Sequence, residues 1–146
     1  MSTSVIGTTL DAIVDGLRAC SDLATVNVFS GDVSLEEAGL ECIALVDATL
    51  DEVAAAMGGE REESWQVQGA TQVIAPWQSD TETTIRYARD RALELFAAVE
   101  TYLNDTYTGS YPNVEVTAGE LSQFYSPEGR ICSLGFTLDL TGLKNP

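Results

Sequence analysis

From residue 8 to residue 20 the apolar positions Leu10, Ile13, Val14 and Leu17 recur three and four apart. They share one stripe of an amphipathic helix, with Thr8 or Thr9 as its cap. Residues 24–29 are rich in β-branched side chains and stop at Ser30-Gly31-Asp32, so they read as a short strand ending in a turn. The nearly continuous apolar run at 41–46 suits a strand covered on both faces. Beyond it, Leu50, Val53 and an alanine triplet precede Gly58-Gly59 and Glu60-Arg61-Glu62-Glu63. That pattern predicts a short helical turn followed by a charged, mobile loop.

Residues 64–77 carry no charge and alternate at Trp65, Val67 and Gly69, resuming at Val73 and Ala75. This predicts a long strand with an irregularity at Gly69, ended or held at a sheet edge by Pro76. Ser79-Asp80-Thr81-Glu82 matches a capping box and precedes Ile85, Ala88, Ala92, Leu95, Phe96, Val99 and Leu103, predicting a helix over about residues 80–104. On its opposite face Arg86 and Asp90 stand four apart, spaced to pair weakly. Turn formers fill 104–113. Val114 and Val116 then share one face of a strand over 113–117, and after a turn at 126–130 Cys132, Leu134, Phe136, Leu138 and Leu140 alternate cleanly. The expected fold is α+β: a mixed or antiparallel sheet of about five strands with one long and one shorter helix packed on it.

A length of 146 residues fits a single α/β domain over 1–146. Seven Lys and Arg against 23 Asp and Glu give a net charge of −16, which opposes grip on nucleic-acid phosphates and on anionic lipid. No apolar run approaches the roughly 20 residues of a membrane span. The first residues lack the basic start and apolar centre of a secretory signal, so synthesis inside the cell is expected. Cys20, Cys42 and Cys132 are odd in number and widely spaced, which predicts buried free thiols rather than disulfides or a metal knuckle.

The chain has no histidine, which removes imidazole bases and the triads built on them. Its only lysine is Lys144, near the end, so phosphate-loop and Schiff-base lysines find little support. Carboxylate pairs such as Glu36 with Glu41, or Glu62 with Glu63, could in principle serve sugar hydrolysis, but a solvated acidic surface is the simpler and favoured reading. The acidic stretches 31–37 and 79–82 lack the acid ladder and central glycine of a calcium loop. Gly58-Gly59 lacks the spacing of a nucleotide fingerprint. Asn104-Asp105-Thr106 fits a glycosylation sequon without a secretory context. No metal, no cofactor and no enzymatic activity are expected. Trp65 and Trp77 bracket the uncharged strand, where aromatics serve core or edge packing and can also anchor an interface.

The element order, with an uncharged strand, a helix opened by the stretch from Ser79 to Ala92 and continued as Ala98-Val99-Glu100-Thr101-Tyr102-Leu103, and a closing strand pair, resembles the tail terminator, or tail-completion, proteins of long-tailed bacteriophages. The resemblance implies a virion tail subunit, made in the host cytoplasm. Such a subunit closes into a hexameric ring, caps the tail tube, ends its polymerisation and joins the tail to the head. Its partners would be copies of itself, the tail tube protein and a head-side connector protein, with DNA passing through the ring unbound. The uncharged strand and the acidic loop, represented by Glu60, Arg61, Glu62, Glu63, Trp65 and Trp77, are the expected contacts. Two alternatives are a head-to-tail connector or neck subunit, and a small-molecule-binding or hydrolytic domain using carboxylates.

Overall fold

Cys132, Leu134, Phe136, Leu138 and Leu140 form the inner face of one strand in a five-stranded sheet, and each is buried. The structure is a computed structural model and describes residues 6–31, 33–55, 61–78, 80–109 and 112–144. In chain order its elements are α1 (Ile6–Ala19), a 3₁₀ turn (Ser21–Leu23), β1 (Asn27–Phe29), α2 (Leu35–Ala38) and β2 (Glu41–Ala55). Then come β3 (Arg61–Pro76), α3 (Thr81–Tyr107), β4 (Asn113–Tyr125) and β5 (Gly129–Lys144). The sheet order is β1-β2-β3-β5-β4; only the β1–β2 pair is parallel.

The expected α+β fold is therefore present, with α3 as the long helix and α1 as the shorter one. Ile13, Val14 and Leu17 of α1 are buried as their spacing predicts. So are Ala88, Ala92, Leu95, Phe96, Val99 and Leu103 of α3. One core joins both helices to the inner sheet face, and at about 1.5–3 kcal/mol per buried large side chain it is the main favourable term of folding. Thr71, fully buried within that core, donates its hydroxyl to the carbonyl of Ala92 at 3.2 Å, fixing α3 against β3. Cys42 to Leu45 are buried on both faces, as the apolar run predicts, but Val46 at its end is exposed, because β1 pairs no farther than Ala44 and β2 bulges there. The outer side of Cys42 and Ala44 is covered by Ala38, Phe29 and Val33.

Several expectations are corrected. The stretch from Asp47 forms no helical turn: β2 runs on to Ala55 and β3 begins at Arg61, so Glu62 and Glu63 lie in a strand rather than a mobile loop. Gly58, Gly59 and Glu60 lie outside the described residues. Ser79 does too, and the cap of α3 is Asp80, whose side chain accepts from the backbone N–H of Glu82 and from the Thr83 hydroxyl. These bonds hold the Asp80 carboxyl below its ordinary range. Arg86 pairs with Glu82 instead of Asp90, which binds Arg89. The helix continues to Tyr107, and β4 extends to Tyr125 because β5 supplies its ladder that far.

The irregularity expected at Gly69 belongs to its neighbour. β3 is continuous, whereas β2 carries an extra residue at Val46 and again at Asp51, opposite an unbroken β3. A third bulge sets Gly119 and Glu120 of β4 against Gly135. Gly69 has a different purpose: a Cβ there would stand 2.6 Å from the Phe136 ring and 3.0 Å from the Ala44 carbonyl. That ring also packs against Phe96, at 5.9 Å between centroids, so it has little freedom to retreat.

Gly69→Ala is expected to lower the unfolding free energy by about 1–3 kcal/mol in urea titration. Gly31→Ala, where nothing lies within 4 Å, should stay within about 0.5 kcal/mol of the parent. A second expectation concerns alkaline pH. Burial, aided by a hydrogen bond with Tyr102, pushes the Tyr107 hydroxyl up to about 12 from its ordinary 10.0. A raised pKa means that the neutral phenol stabilises the fold fully below pH 10, and that this contribution is lost as pH climbs toward 12. Spectroscopic tyrosinate titration of the parent against Tyr107→Phe should assign to Tyr107 an ionisation above 10.0 that coincides with loss of stability.

Candidate functional site

The residues expected to meet partners fall at two ends of one strand. Glu62, Glu63 and Trp65 lie at the start of β3, and Trp77 follows its end, about 40 Å away at the rise of an extended chain. Glu60 and the side chain of Arg61 lie outside the described residues. Glu62 and Glu63 alternate across the sheet, so they do not converge as an acid–base pair. Glu63 is only 2% exposed, and Oε2 accepts the indole N–H of Trp65 at 2.8 Å. Trp65 packs against the core. Trp77 donates its indole N–H to the carbonyl of Ser126 at 2.9 Å and lies 5.5 Å from the Tyr125 ring. Both tryptophans thus have local packing roles. β3 is also flanked on both sides by β2 and β5, so it has no free ladder to offer another chain.

Charge chemistry concentrates at the start of β2. Arg91 of α3 donates to both carboxylate oxygens of Glu41, at 2.6 and 3.0 Å, and to Glu94 at 2.9 Å. The bonds to Glu41 are the first cause that holds the guanidinium above its ordinary pKa. The other acid of that proposed pair, Glu36, has a side chain outside the described residues. Beside the clamp a groove of about 610 Å³ opens between α3 and the 3₁₀ turn, lined in part by Cys20, Asp22, Glu94, Ala98 and Tyr102. Burial and the charge of Asp22 push the Cys20 thiol up, and burial does the same for Cys132. Both favour the protonated thiol over the thiolate that nucleophilic chemistry uses. All three cysteines are free; Cys42 and Cys132 are buried and Cys20 is half-buried. Among the described residues no group of His, Cys, Asp and Glu is arranged to hold a metal ion. No described helix is long and apolar enough to cross a membrane.

The more unusual surface is at the sheet edges. β1 pairs with only Cys42, Ile43 and Ala44, so from Leu45 onward β2 has no strand on that side among the described residues. Among the described residues β4 has no strand along its outer side. Among the described residues eight large apolar side chains are more than a third exposed. Three, Leu40, Val46 and Leu50, belong to β2 or its lead-in, and three, Leu121, Phe124 and Tyr125, belong to β4. Sequence reasoning missed these six. Phe124-Tyr125 beside Leu121 was the available signal, lost because the strand seemed to end at Thr117. Ser34-Leu35-Glu36-Glu37 was a second: Ser34 caps α2 by accepting from the N–H of Glu37.

These elements define an α+β protein with a long-stranded sheet covered on one face by its two longer helices. A chain in the solved virion of a native gene transfer agent particle shares that fold: the TM-score is 0.54 and the identity 16%, over 97% of this chain and 100% of that one. No family model matches the chain, and no curated protein matches it.

Glu41 and Arg91 have side chains only 14% and 24% exposed, so their bidentate pair should be worth more than an open surface pair. A double-mutant cycle of Glu41→Ala and Arg91→Ala, read by urea unfolding, is expected to give a coupling of about 1–3 kcal/mol. The same cycle on Glu82 and Arg86, which stand in solvent, should give a coupling close to zero.

Proposed function

We propose that the chain is a structural subunit of a phage-like virion, and within it a tail terminator: a ring that caps the tail tube, ends its growth and joins the tail to the head. The observation that carries this reading is the shared fold with a virion chain over nearly the full length of both molecules. The open edges on two sides of the sheet support it further, since a subunit that builds a ring needs two contact surfaces. The charge of −16 fits a passage through which DNA moves without adhering. The partners in this reading are further copies of the chain, a tail tube protein and a head-side connector protein. The reading calls for no catalytic residue and no cofactor.

Native mass measurement and negative-stain imaging test it directly. The expected outcome is a ring of six copies that seats on the end of isolated tail tubes. Sixteen net negative charges per copy repel one another, so the ring should form more readily as salt shortens the screening length from about 8 Å at physiological strength toward about 3 Å at 1 M. A chain that stays monomeric under these conditions, with and without tubes, sinks the reading. Binding to the portal side of heads in place of tubes would reassign the subunit to the neck.

A further inference from the structure

We infer that the open half of β2 on one copy pairs with the open edge of β4 on the next, so that neighbouring copies share one continuous sheet. This rests on the assembly reading above and names the surface that assembly uses.

Edge strands are ordinarily blunted, by shortness, by lysine or by proline, because a row of unpaired backbone groups captures other strands. Both edges here carry acids and bulges, but neither is short or uses lysine or proline. β4 has 13 residues and β2 has 15, and neither contains a lysine or a proline. Bulges interrupt both, dividing β2 into Glu41 to Leu45, Asp47 to Leu50 and Glu52 to Ala55, and β4 into Asn113 to Ala118 and Leu121 to Tyr125. The exposed apolar side chains gather around one run of each strand. Val46 and Leu50 mark one side of the molecule, and Leu121, Phe124 and Tyr125 mark the other.

A second copy is the occupant these edges fit. β2, β3, β5 and β4 are successively antiparallel, so β4 runs opposite to β2. A rotation about an axis inclined to the strands preserves their sense and brings β4 of one copy beside β2 of the next in antiparallel register. In its own sheet Leu121–Tyr125 lies level with the start of β2, so a displacement of about six residues along the strands sets it against Val46–Leu50. The inner faces stay on the same side, and α1 and α3 of all copies lie on one wall. Each copy contributes one edge of each kind, so the contact is head-to-tail, and repeating it closes a ring or extends a filament. Pairing β4 with β4, or β2 with β2, would satisfy one edge and stop at two copies.

The test uses two full-length variants at exposed positions. Val46→Lys with Leu50→Lys alters the β2 edge, and Leu121→Lys with Phe124→Lys alters the β4 edge. Circular dichroism and thermal melting establish that each folds; if a lysine variant does not, threonine at the same positions carries the same expectation. Sedimentation analysis should find the parent as a ring, each variant alone as a single copy, and an equal mixture of the two as a dimer containing one of each and nothing larger. The mixture regains only the one junction formed by two unaltered edges. A variant that keeps the ring overturns the inference while leaving the ring reading intact. A homodimer of either variant, or a mixture that stays monomeric, also overturns it. A parent that never assembles removes the ring reading and this inference together.

Discussion

The structure depends on covering one face of a sheet whose strands are longer than its helices. α3 has 27 residues and spans about 40 Å, whereas the 16 residues of β3 or β5 span about 50 Å. The helix stripe protects the inner face from Ala75 down to Val67; beyond it Trp65 is half covered, while Glu63, bonded to its indole, and Leu140 stay buried. On the β2 side α1 lies against β1, and β2 from Val46 to Leu50 is exposed at every residue. What remains outside the core is a ribbon held by its backbone ladder to β3. The outer face of the sheet is polar and mainly uncharged there, with Gln66, Gln68 and Thr137 in a row, and Thr137 donates its hydroxyl to Gln68 at 3.1 Å.

Two polar ties fix how the helices sit on that sheet. The Arg91–Glu41 clamp joins the middle of α3 to the start of β2. Arg18 donates two hydrogen bonds to the carbonyl of Val28, at 3.1 and 2.7 Å, and fastens the end of α1 to β1. Between the helices, Gly16 lets the Tyr102 hydroxyl lie where a Cβ would stand, so α1 and α3 approach closely at that crossing. Most of the seven cations are spent in such local contacts, and the acidic surface is left largely uncompensated.

Legibility in the sequence followed amphipathicity. The stripe of α3 and the alternation of β5 were plain because each element buries its own face, and periodicity reports that burial. The far half of β2 was hidden for the converse reason. Its acids and alanines show no period of two in the sequence, so the ladder to β3 and not its own pattern makes it a strand. β4 was cut short at Thr117 because a bulge at Gly119 and Glu120 breaks the alternation, and both faces beyond it are largely open. The tryptophans drew attention as large side chains at strand ends, yet local bonds to Glu63 and Ser126 account for them. The apolar edge residues became visible only once the strand order was known, because being at an edge is a property of the sheet and not of the segment.

The three bulges bear on a danger that any long open edge creates. Flat strands stack without limit, as they do in fibrils, because each added chain presents the same straight template to the next. A bulge adds local right-handed twist and bends the strand that carries it. With one in β4 and two in β2, neither edge offers a straight template longer than a few residues. A foreign flat strand finds little to follow along them, whereas a copy with matching bends loses nothing, so the irregularities act as a filter against amyloid-like growth.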